Sequence, residues 1–235
     1  MKSVPNMPTC DKCMMHFRTV FKDLTSEEMQ QVTYEKICQS LKKGTVMYHE
    51  GNRMSGFYCI HKGIIKIFKT GSEGKEQIIR FARQGDIIGY RSVLSGELAC
   101  TSARVLEDAE VCFIPASSLQ NLIRSNPVFS FDLLQLVCKE LGEANSFITD
   151  IAQKTVRERL AEVLLLLKNS FGLDNDQVLK ISLTREELAN IIGTATESVI
   201  RLLSEFKSDK LIEIQGRKIK ILDEPKLMKI GNIFD

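Results

Sequence analysis

The sequence of 235 residues has no long apolar run and no apolar leader at its amino terminus. A helix that spans a membrane needs about 20 largely apolar residues in succession, and a secretory signal carries an apolar segment behind a short basic one. Because neither pattern is found, we expect a cytoplasmic protein with no membrane partner.

Histidine is scarce, and the side-chain groupings of common enzymes are missing. The three histidines are His16, His49 and His61, and none lies in a sequence context typical of catalysis. No Ser-His-Asp set, no paired carboxylates of a catalytic cleft and no glycine-rich phosphate-binding loop are visible in the sequence. We therefore expect that the chain is not an enzyme.

Charge of one sign is not in excess either, since 32 Lys and Arg stand against 30 Asp and Glu, a net charge of +2. Bulk charge therefore neither requires nor excludes a nucleic-acid partner. A prediction of DNA binding has to rest on the local arrangement of residues.

The seven cysteines are an odd number in a chain without a signal peptide. This favours reduced thiols, metal ligands or redox chemistry over a disulfide framework. Cys10 and Cys13 form a Cys-x-x-Cys pair. Thiol–disulfide enzymes place such a pair at a helix start after a strand, within a βαβ unit, and the sequence has no such pattern here, so that class of enzyme fits poorly.

Residues 183–206 predict two short helices joined by a tight turn. Thr184 and Glu187 have the spacing of a capping box, in which each side chain satisfies a free backbone N–H at the helix start. Gly193 is placed to end that helix, because glycine enters the left-handed conformation without a Cβ penalty.

The second helix, from about Ala195 to Phe206, has one apolar face and one free face. In the major groove of DNA, a carboxylate can accept from cytosine N4, a guanidinium can donate to guanine, and an aliphatic group can contact a thymine methyl. The alternative is a structural helical hairpin, in which Glu197 caps its own helix together with Thr194. The candidate DNA-reading residues are Thr196, Glu197, Ser198, Ile200 and Arg201.

A predicted β-hairpin follows the second helix directly. Residues 210–215 and 218–222 alternate polar and apolar side chains, and Gly216 with Arg217 makes the turn. A helix-turn-helix followed by a hairpin is a winged helix. Its tip offers Arg217 and Lys218 to DNA phosphates, which position a protein without reading sequence.

Upstream of this unit, residues 45–115 are predicted as short strands separated by glycines, which indicates a small β-barrel or jelly roll. Residues 25–39 predict a helix that begins with a capping box of Thr25 and Glu28. Residues 156–171 predict another helix, and residues 178–183 a short strand before the helix-turn-helix.

A long helix is predicted to start at Pro127 and to cover residues 128–154. Its apolar residues recur at spacings of three and four, the heptad pattern of a two-stranded coiled coil, and Asn145 would fix the register. A two-fold dimer also binds two DNA half-sites one turn apart. The alternative is a core stripe within one chain. The predicted dimer contacts are Phe131, Leu134, Cys138, Leu141, Asn145 and Ile148.

These patterns predict an α+β chain in four parts. They are an amino-terminal cysteine-containing arm (1–22), a β-roll sensor domain (23–126), a dimerisation helix (127–154) and a winged helix-turn-helix DNA-binding domain (155–235).

This order of parts, with four short motifs, resembles the CRP/FNR family of bacterial transcription regulators. The motifs are GDIIG at 85–89, RERLA at 157–161, LTREEL at 183–188 and ESVIR at 197–201. The resemblance implies a cyclic-nucleotide-binding-like β-roll (jelly roll) and a homodimer that binds palindromes in double-stranded DNA with TGA-like half-sites.

The resemblance also implies roles for single residues. Glu197 and Arg201 would read base edges, and Arg185 would approach a phosphate. Ile200 stands where the family usually has a small residue, which leaves the outer base of the half-site open. Residues 90–93 match a loop through which the family can contact RNA polymerase.

Within the family, the sequence is closer to the FNR-like, oxygen-sensing branch than to the cyclic-AMP-binding members. Those members place a Glu after the GD-x-x-G motif and an Arg-Ser pair further on. Here Tyr90 takes the position of the Glu, and residues 99–102 read ACTS. A cyclic phosphate buried without a guanidinium would be an unpaired charge, so we expect no binding of cyclic AMP in that manner.

The FNR-like branch holds a [4Fe–4S] cluster, and the resemblance implies Cys10, Cys13 and Cys112 as ligands. The branch's remaining amino-terminal cysteine is replaced by Thr19, whereas a cluster usually takes four thiolates. Cys59 is the first candidate for the fourth ligand, because in the family's roll its strand lies ~4.8 Å from the strand of Cys112. Weaker candidates are His16, Cys38 and Cys100.

Other outcomes stay open: a structural zinc, a dithiol switch, or no metal, with Cys59 and Cys112 as small buried apolar residues. In the last case a small organic effector in the β-roll would control the regulator. In an oxygen-regulated member, a buried acid in the dimer seam can hold subunits apart. Here Glu143 lies off the predicted seam, so we expect a dimer even without a cofactor.

Overall fold

The computed structural model describes residues 9–10, 13 and 19–233. The fold is α+β, as predicted, and within these residues no helix is long and apolar enough to cross a membrane. The helices are α1 (Ser26–Glu35), α2 (Tyr90–Ser95), α3 (Ala116–Ser125), α4 (Pro127–Gln153), α5 (Val156–Phe171), α6 (Arg185–Ile192), α7 (Thr196–Ser208) and α8 (Glu224–Ile230). The strands are β1 (Ile37–Leu41), β2 (Val46–Tyr48), β3 (Gly56–Thr70), β4 (Glu76–Ala82), β5 (Ile87–Ile88), β6 (Ser102–Pro115), β7 (Ile212–Gln215) and β8 (Lys218–Ile221).

The predicted roll is a six-stranded antiparallel sheet with the order β1-β6-β3-β4, in which β2 also pairs with β6 and β5 with β3. The two long strands β3 and β6 pair along most of their length, from Gly56 opposite Pro115 to Phe68 opposite Ser102. The register of this ladder shifts at three places between Ile60 and Ile65, and such irregularities bend a strand and increase its twist. The enclosed core includes Ile60, Ile65, Val105 and Val111.

The first helix was predicted too long. Its capping box of Thr25 and Glu28 is present, but α1 ends at Glu35 and Lys36 is already extended. Residues 37–41 form β1, which pairs with Phe113 through Ala109 of β6. Apolar spacing over 25–39 suited a helix, yet ladder hydrogen bonds from a strand far along the chain determine the conformation of its second half.

The long helix α4 begins at Pro127, as predicted, and the division of the chain into two compact units falls inside it, between Leu141 and Gly142. Phe129 and Leu133, near its start, are buried in the core of the first unit. The predicted seam is exposed instead, with 57% to 65% of the surface of its large apolar residues accessible. The seam residues Cys138 and Asn145 are exposed too. Among the described residues, these side chains therefore do not belong to the buried core of either unit.

The second unit contains α5 to α8 and the hairpin of β7 and β8. Leu160 and Leu164 of α5 are buried, as are Val199 and Phe206 of α7. The strand predicted at 178–183 is not formed: only single bridges join Val178 to Lys220 and Leu179 to Leu173. The helices α2, α3 and α8 had no prediction.

Candidate functional site

The helix-turn-helix forms as its local signals predict. Thr184 and Glu187 make the capping box of α6, and Gly193 ends that helix in the left-handed conformation at φ 74°. Helix α7 begins at Thr196 and has no side-chain cap at its amino terminus. The N-cap residue of α7 is Ala195 and not Thr194, the residue that the alternative capping box with Glu197 requires at that position.

Helix α7 has one buried face and one free face. Val199, Leu202, Leu203 and Phe206 are all buried, so the side chains between them point outward. Ile200 is 49% exposed. Glu197 and Arg201 are exposed, and Thr196 and Ser198 are half-buried at the start of the helix. The structure thus brings the five candidate reading residues to one end and one face of α7.

Arg201 already has an ionic partner. Its Nη1 donates to Oε1 of Glu205 at 2.6 Å, and Oε2 of Glu205 accepts from Arg157 at 3.2 Å. Arg157 also donates to Asp209 at 2.9 Å and lies over the ring of Phe206. Exposed pairs contribute about 0–1 kcal/mol, so Arg201 can leave Glu205 for a base at small cost. The i, i+4 spacing of Arg201 and Glu205 was the sequence signal for this pair, and it was missed.

The wing is the hairpin of β7 and β8, with Gln215 opposite Lys218. Gly216 takes φ +59° at the turn, and Arg217 and Lys218 are exposed at the tip. Arg185 donates from Nη2 to the carbonyl oxygen of Gly216 at 2.9 Å. Burial lowers the pKa of Arg185. Arg185 therefore fixes the wing tip against the start of α6, a role that the sequence did not show.

Three cysteines form a row across the β-sheet. Cys38 of β1 is opposite Cys112 of β6, and Cys112 is opposite Cys59 of β3. Directly opposite residues of antiparallel strands point to the same face of a sheet. Cys38 is in contact with Cys112, with 2.7 Å between the two Sγ atoms.

The Cys-x-x-Cys pair lies beside this row. The backbone N–H of Cys10 donates to Oγ1 of Thr33 at 3.0 Å, and its side chain packs against the same core as Cys59. Sγ of Cys13 is 3.5 Å from Nδ1 of His61. We call Cys10, Cys13, Cys38, Cys59 and Cys112 the thiol cluster.

The environment sets the pKa of each thiol in the row. Burial raises the pKa of Cys59 to about 12, and the neighbouring Cys13 and Cys10 act in the same direction. The hydrogen bond with Cys112 lowers the pKa of Cys38 to about 7, against the effect of burial and with help from Lys36. The same hydrogen bond raises the pKa of Cys112.

The thiol cluster changes the ranking of the predicted ligands. Cys59 is adjacent to Cys112, as predicted, but Cys38, a weaker candidate, is in direct contact with it. The sequence placed Cys38 in a helix, whereas it lies on strand β1. Cys100 is exposed, Thr19 is buried and accepts from the N–H of Phe21, and His16 lies outside the described residues. Across 9–10, 13 and 19–233, no three His, Cys, Asp or Glu side chains surround a position for a metal ion.

The effector pocket of the β-roll is nearly closed. Its cavity is about 10 Å³, roughly the space of one water molecule. Gly89 takes φ +80° before α2, and Tyr90 follows it at 1% exposure. Arg80 and Arg91 face Glu140 of α4, at 3.0 and 3.8 Å. The pocket's guanidinium groups therefore face a carboxylate of the chain itself. The lining includes Tyr48, Arg80, Tyr90, Arg91, Cys100 and Thr101.

Two family models match the chain. One, described as cyclic nucleotide-binding domain, matches residues 38–126, and the other, described as Crp-like helix-turn-helix domain, matches residues 158–230. The transcriptional activator Anr of Pseudomonas protegens is 28% identical over 230 residues, 96% of this chain and 93% of that protein. The fumarate and nitrate reduction regulatory protein of Vibrio cholerae is 26% identical over 209 residues, 88% of this chain and 82% of that protein.

Solved structures share the fold. FixK2 from Bradyrhizobium japonicum superposes with a TM-score of 0.76 at 23% identity and covers 85% of this chain and 99% of its own. A CRP/FNR-family regulator from Eubacterium rectale has a TM-score of 0.75 at 21% identity and covers 91% of this chain and 97% of its own.

A Crp-like helix-turn-helix behind a cyclic-nucleotide-binding-like domain defines the class of DNA-binding transcription regulators. The chain belongs to the CRP/FNR family and to its FNR-like branch, and the relatives named above are regulators rather than enzymes. The predictions of family, fold class and general function are confirmed.

We expect cyclic AMP to leave the melting temperature of the full-length chain unchanged. The cavity is only about 10 Å³, and the two arginines that line it, Arg80 and Arg91, already face the carboxylate of Glu140. A ligand at 100 times its Kd stabilises the folded state by about 2.7 kcal/mol, which scanning fluorimetry over a nucleotide concentration series would detect as a shift of several degrees. A saturable rise in melting temperature would contradict this prediction.

Proposed function

We propose that the chain is a homodimeric regulator that reads a DNA palindrome with TGA-like half-sites through α7. The observation that carries this proposal is the exposure of Glu197, Ile200 and Arg201 on one face of α7, next to a wing whose tip exposes two basic residues. The motif of residues 197–201 supports the TGA-like core by family resemblance. The partner is double-stranded DNA, so the proposed location is the cytoplasm.

Each exposed group has a partner chemistry in the major groove. The carboxylate of Glu197 accepts from cytosine N4, and the guanidinium of Arg201 donates to guanine O6 and N7. Ile200 contacts a thymine methyl. Thr196 and Ser198 lie at the amino-terminal end of α7, the end that enters the groove in helix-turn-helix proteins. Arg217 and Lys218 bind phosphates, and Arg185 contributes by fixing the wing.

Arg201→Ala should cost about 1–3 kcal/mol in binding to a specific site and relax base choice at one position, because it removes a base contact. Lys218→Ala should weaken specific and random DNA alike and lower the salt dependence of binding, because it removes a phosphate contact. Fluorescence anisotropy on both DNAs at several salt concentrations measures the two effects. Equal losses on both DNAs for Arg201→Ala would show that α7 is not the reading helix.

The proposed dimer forms through the seam of α4. Phe131, Leu134, Leu141 and Ile148 recur at heptad spacing and are all more than half exposed. A second copy of the same stripe is the partner that this spacing fits, since heptad positions bury each other in a two-stranded coiled coil. Members of the family form dimers, which supports the proposal, and the choice of these α4 residues as the dimer contacts is part of it.

The metal-free chain should be a dimer by light scattering at micromolar concentration. Leu141→Glu should weaken association at least ~10-fold, about 1.4 kcal/mol, because it places two carboxylates in an apolar seam. Ser146→Glu adds the same charge at an exposed heptad b position of α4, which points away from the seam, so it should leave the dimer intact. A monomeric wild-type chain, or equal effects of the two substitutions, would contradict the seam.

We further propose that a Cys-ligated [4Fe–4S] cluster controls the regulator, with Cys10, Cys13 and Cys112 as ligands and Cys59 or Cys38 as the fourth. Thiolate is the donor that such clusters take. The proposal is supported by the row of Cys38, Cys112 and Cys59 across the sheet and by Cys10 and Cys13 as neighbours of Cys59. When bound, the cluster would supply an oxygen-sensitive redox centre. The second candidate is a small organic effector in the β-roll, with structural cysteines.

Iron and acid-labile sulfide per subunit, measured on chain purified without oxygen, test the cluster. We expect about four of each, a loss of both in Cys10→Ser, Cys13→Ser and Cys112→Ser, and retention in the controls Cys100→Ser and Cys138→Ser, whose thiols are exposed. If only one of the variants Cys59→Ser and Cys38→Ser loses iron and sulfide, the residue changed in that variant is the fourth ligand. Wild-type chain without iron or zinc would favour the organic effector.

Contact with RNA polymerase through residues 90–93 is part of the same proposal. Tyr90, Ser92 and Val93 are buried in the structure, so the surface available to the polymerase there is Arg91 together with the exposed Leu94.

A further inference from the structure

Cys38 and Cys112 form a sulfur–sulfur contact that the proposed function does not require. They are directly opposite each other on β1 and β6, in a ladder that runs without a break from Ile37–Phe113 to Leu41–Ala109. Their Sγ atoms are 2.7 Å apart, although the two residues are 74 positions apart in sequence. Both cysteines are free thiols.

The pairing of these two residues is compatible with a disulfide. Bridged cysteines have Cα atoms about 4.4–6.8 Å apart and side chains that face each other. Directly opposite residues of an antiparallel ladder have Cα atoms about 4.5–5.5 Å apart, with both side chains on the same face. A bond between the two sulfurs therefore needs a small side-chain adjustment and no movement of the strands.

Access to the pair is from the side of Cys38. Strand β1 ends the path β1-β6-β3-β4, and Cys38 is half-buried there, whereas Cys112 is only 8% exposed. An oxidant of small size meets Cys38 first. Cys112 can then act as the resolving thiol, because it is already in contact with the attacked sulfur.

We propose that Cys38 and Cys112 are a redox modification site, which a low-molecular-weight disulfide such as oxidised glutathione converts into an intrachain disulfide. The thiolate of Cys38 attacks one glutathione sulfur and releases one glutathione thiolate. Cys112, giving up its proton, then attacks the Cys38 sulfur of the mixed disulfide and releases the second glutathione. Two protein thiols lose two electrons, and one glutathione disulfide gains them as two thiols.

The disulfide has a consequence for the proposed metal site. A sulfur in a disulfide cannot serve as a thiolate ligand, so the bridge removes Cys112 from the ligand set. This consequence rests on the proposed cluster, whereas the disulfide itself requires only that the two sulfurs are in contact.

The test uses full-length chain freed of metal by a chelator and equilibrated at a series of reduced-to-oxidised glutathione ratios. Remaining thiols are then blocked by alkylation, and linked peptides are identified by mass spectrometry. We expect the first intrachain link to join Cys38 to Cys112, and its yield to fall at least tenfold in Cys38→Ser. Cys59→Ser is the matched control, because Cys59 is the other direct neighbour of Cys112, and it should keep the full yield.

Three results would overturn the site. They are a first link between Cys10 and Cys13, a first link between Cys59 and Cys112, and alkylation of Cys38 and Cys112 as free thiols at ratios where glutathione is fully oxidised. Circular dichroism of each variant shows that it is folded before its yield is counted. The glutathione titration uses chain without metal, so its result does not depend on whether a cluster binds. If the disulfide does not form, the measurement of iron and sulfide can still support the cluster.

Discussion

The pairing of β6 with two strands at once is the constraint on which the sensor unit depends. Hydrogen bonds on one edge hold β1 and on the other edge β3, and the two registers place Cys38, Cys112 and Cys59 in one row. Side chains alternate between the faces of a sheet, so a slip of one residue in either ladder would move one thiol to the opposite face. The chemistry available to the thiol cluster is therefore determined by ladder register rather than by cysteine spacing in the sequence.

The DNA-binding unit was predictable from the sequence because its signals are local. The capping box of Thr184 and Glu187 acts over three residues, and Gly193 and Gly216 adopt positive φ at the turns where they were expected. The β-roll was predictable as a class, since strand-like segments alternate with glycines. The strand conformation of residues 37–41 was not predictable in this way. It depends on pairing with residues 109–113, and no local sequence pattern indicates that pairing. The wrong prediction of a helix at Cys38 followed from that limit.

The side chains proposed to read DNA also have partners within the chain, and the strength of each contact indicates its role. Arg201 is 68% exposed and paired with Glu205, so water screens the pair and a base can replace the carboxylate. Arg185 differs, because its guanidinium is partly buried against the carbonyl oxygen of Gly216. Withdrawing Arg185 would leave that carbonyl without its donor and release the wing tip. Arg201 is therefore suited to exchanging Glu205 for a base, and Arg185 to fixing the position of the wing tip.

The same reasoning separates the two parts of the sensor unit that could receive a signal. In the effector pocket, Arg80 and Glu140 are paired at 3.0 Å with only 25% and 11% of their side chains exposed. An organic effector would have to be anionic to replace Glu140, and it would leave that carboxylate to be resolvated or paired elsewhere, which is costly for a buried charge. Within the part of the chain that the structure describes, the thiol cluster contains no ion pair that a signal would first have to break, although burial opposes the loss of a proton from Cys59 by raising its pKa. This difference is the physical reason for proposing the thiol cluster, rather than the effector pocket, as the place where the signal is received.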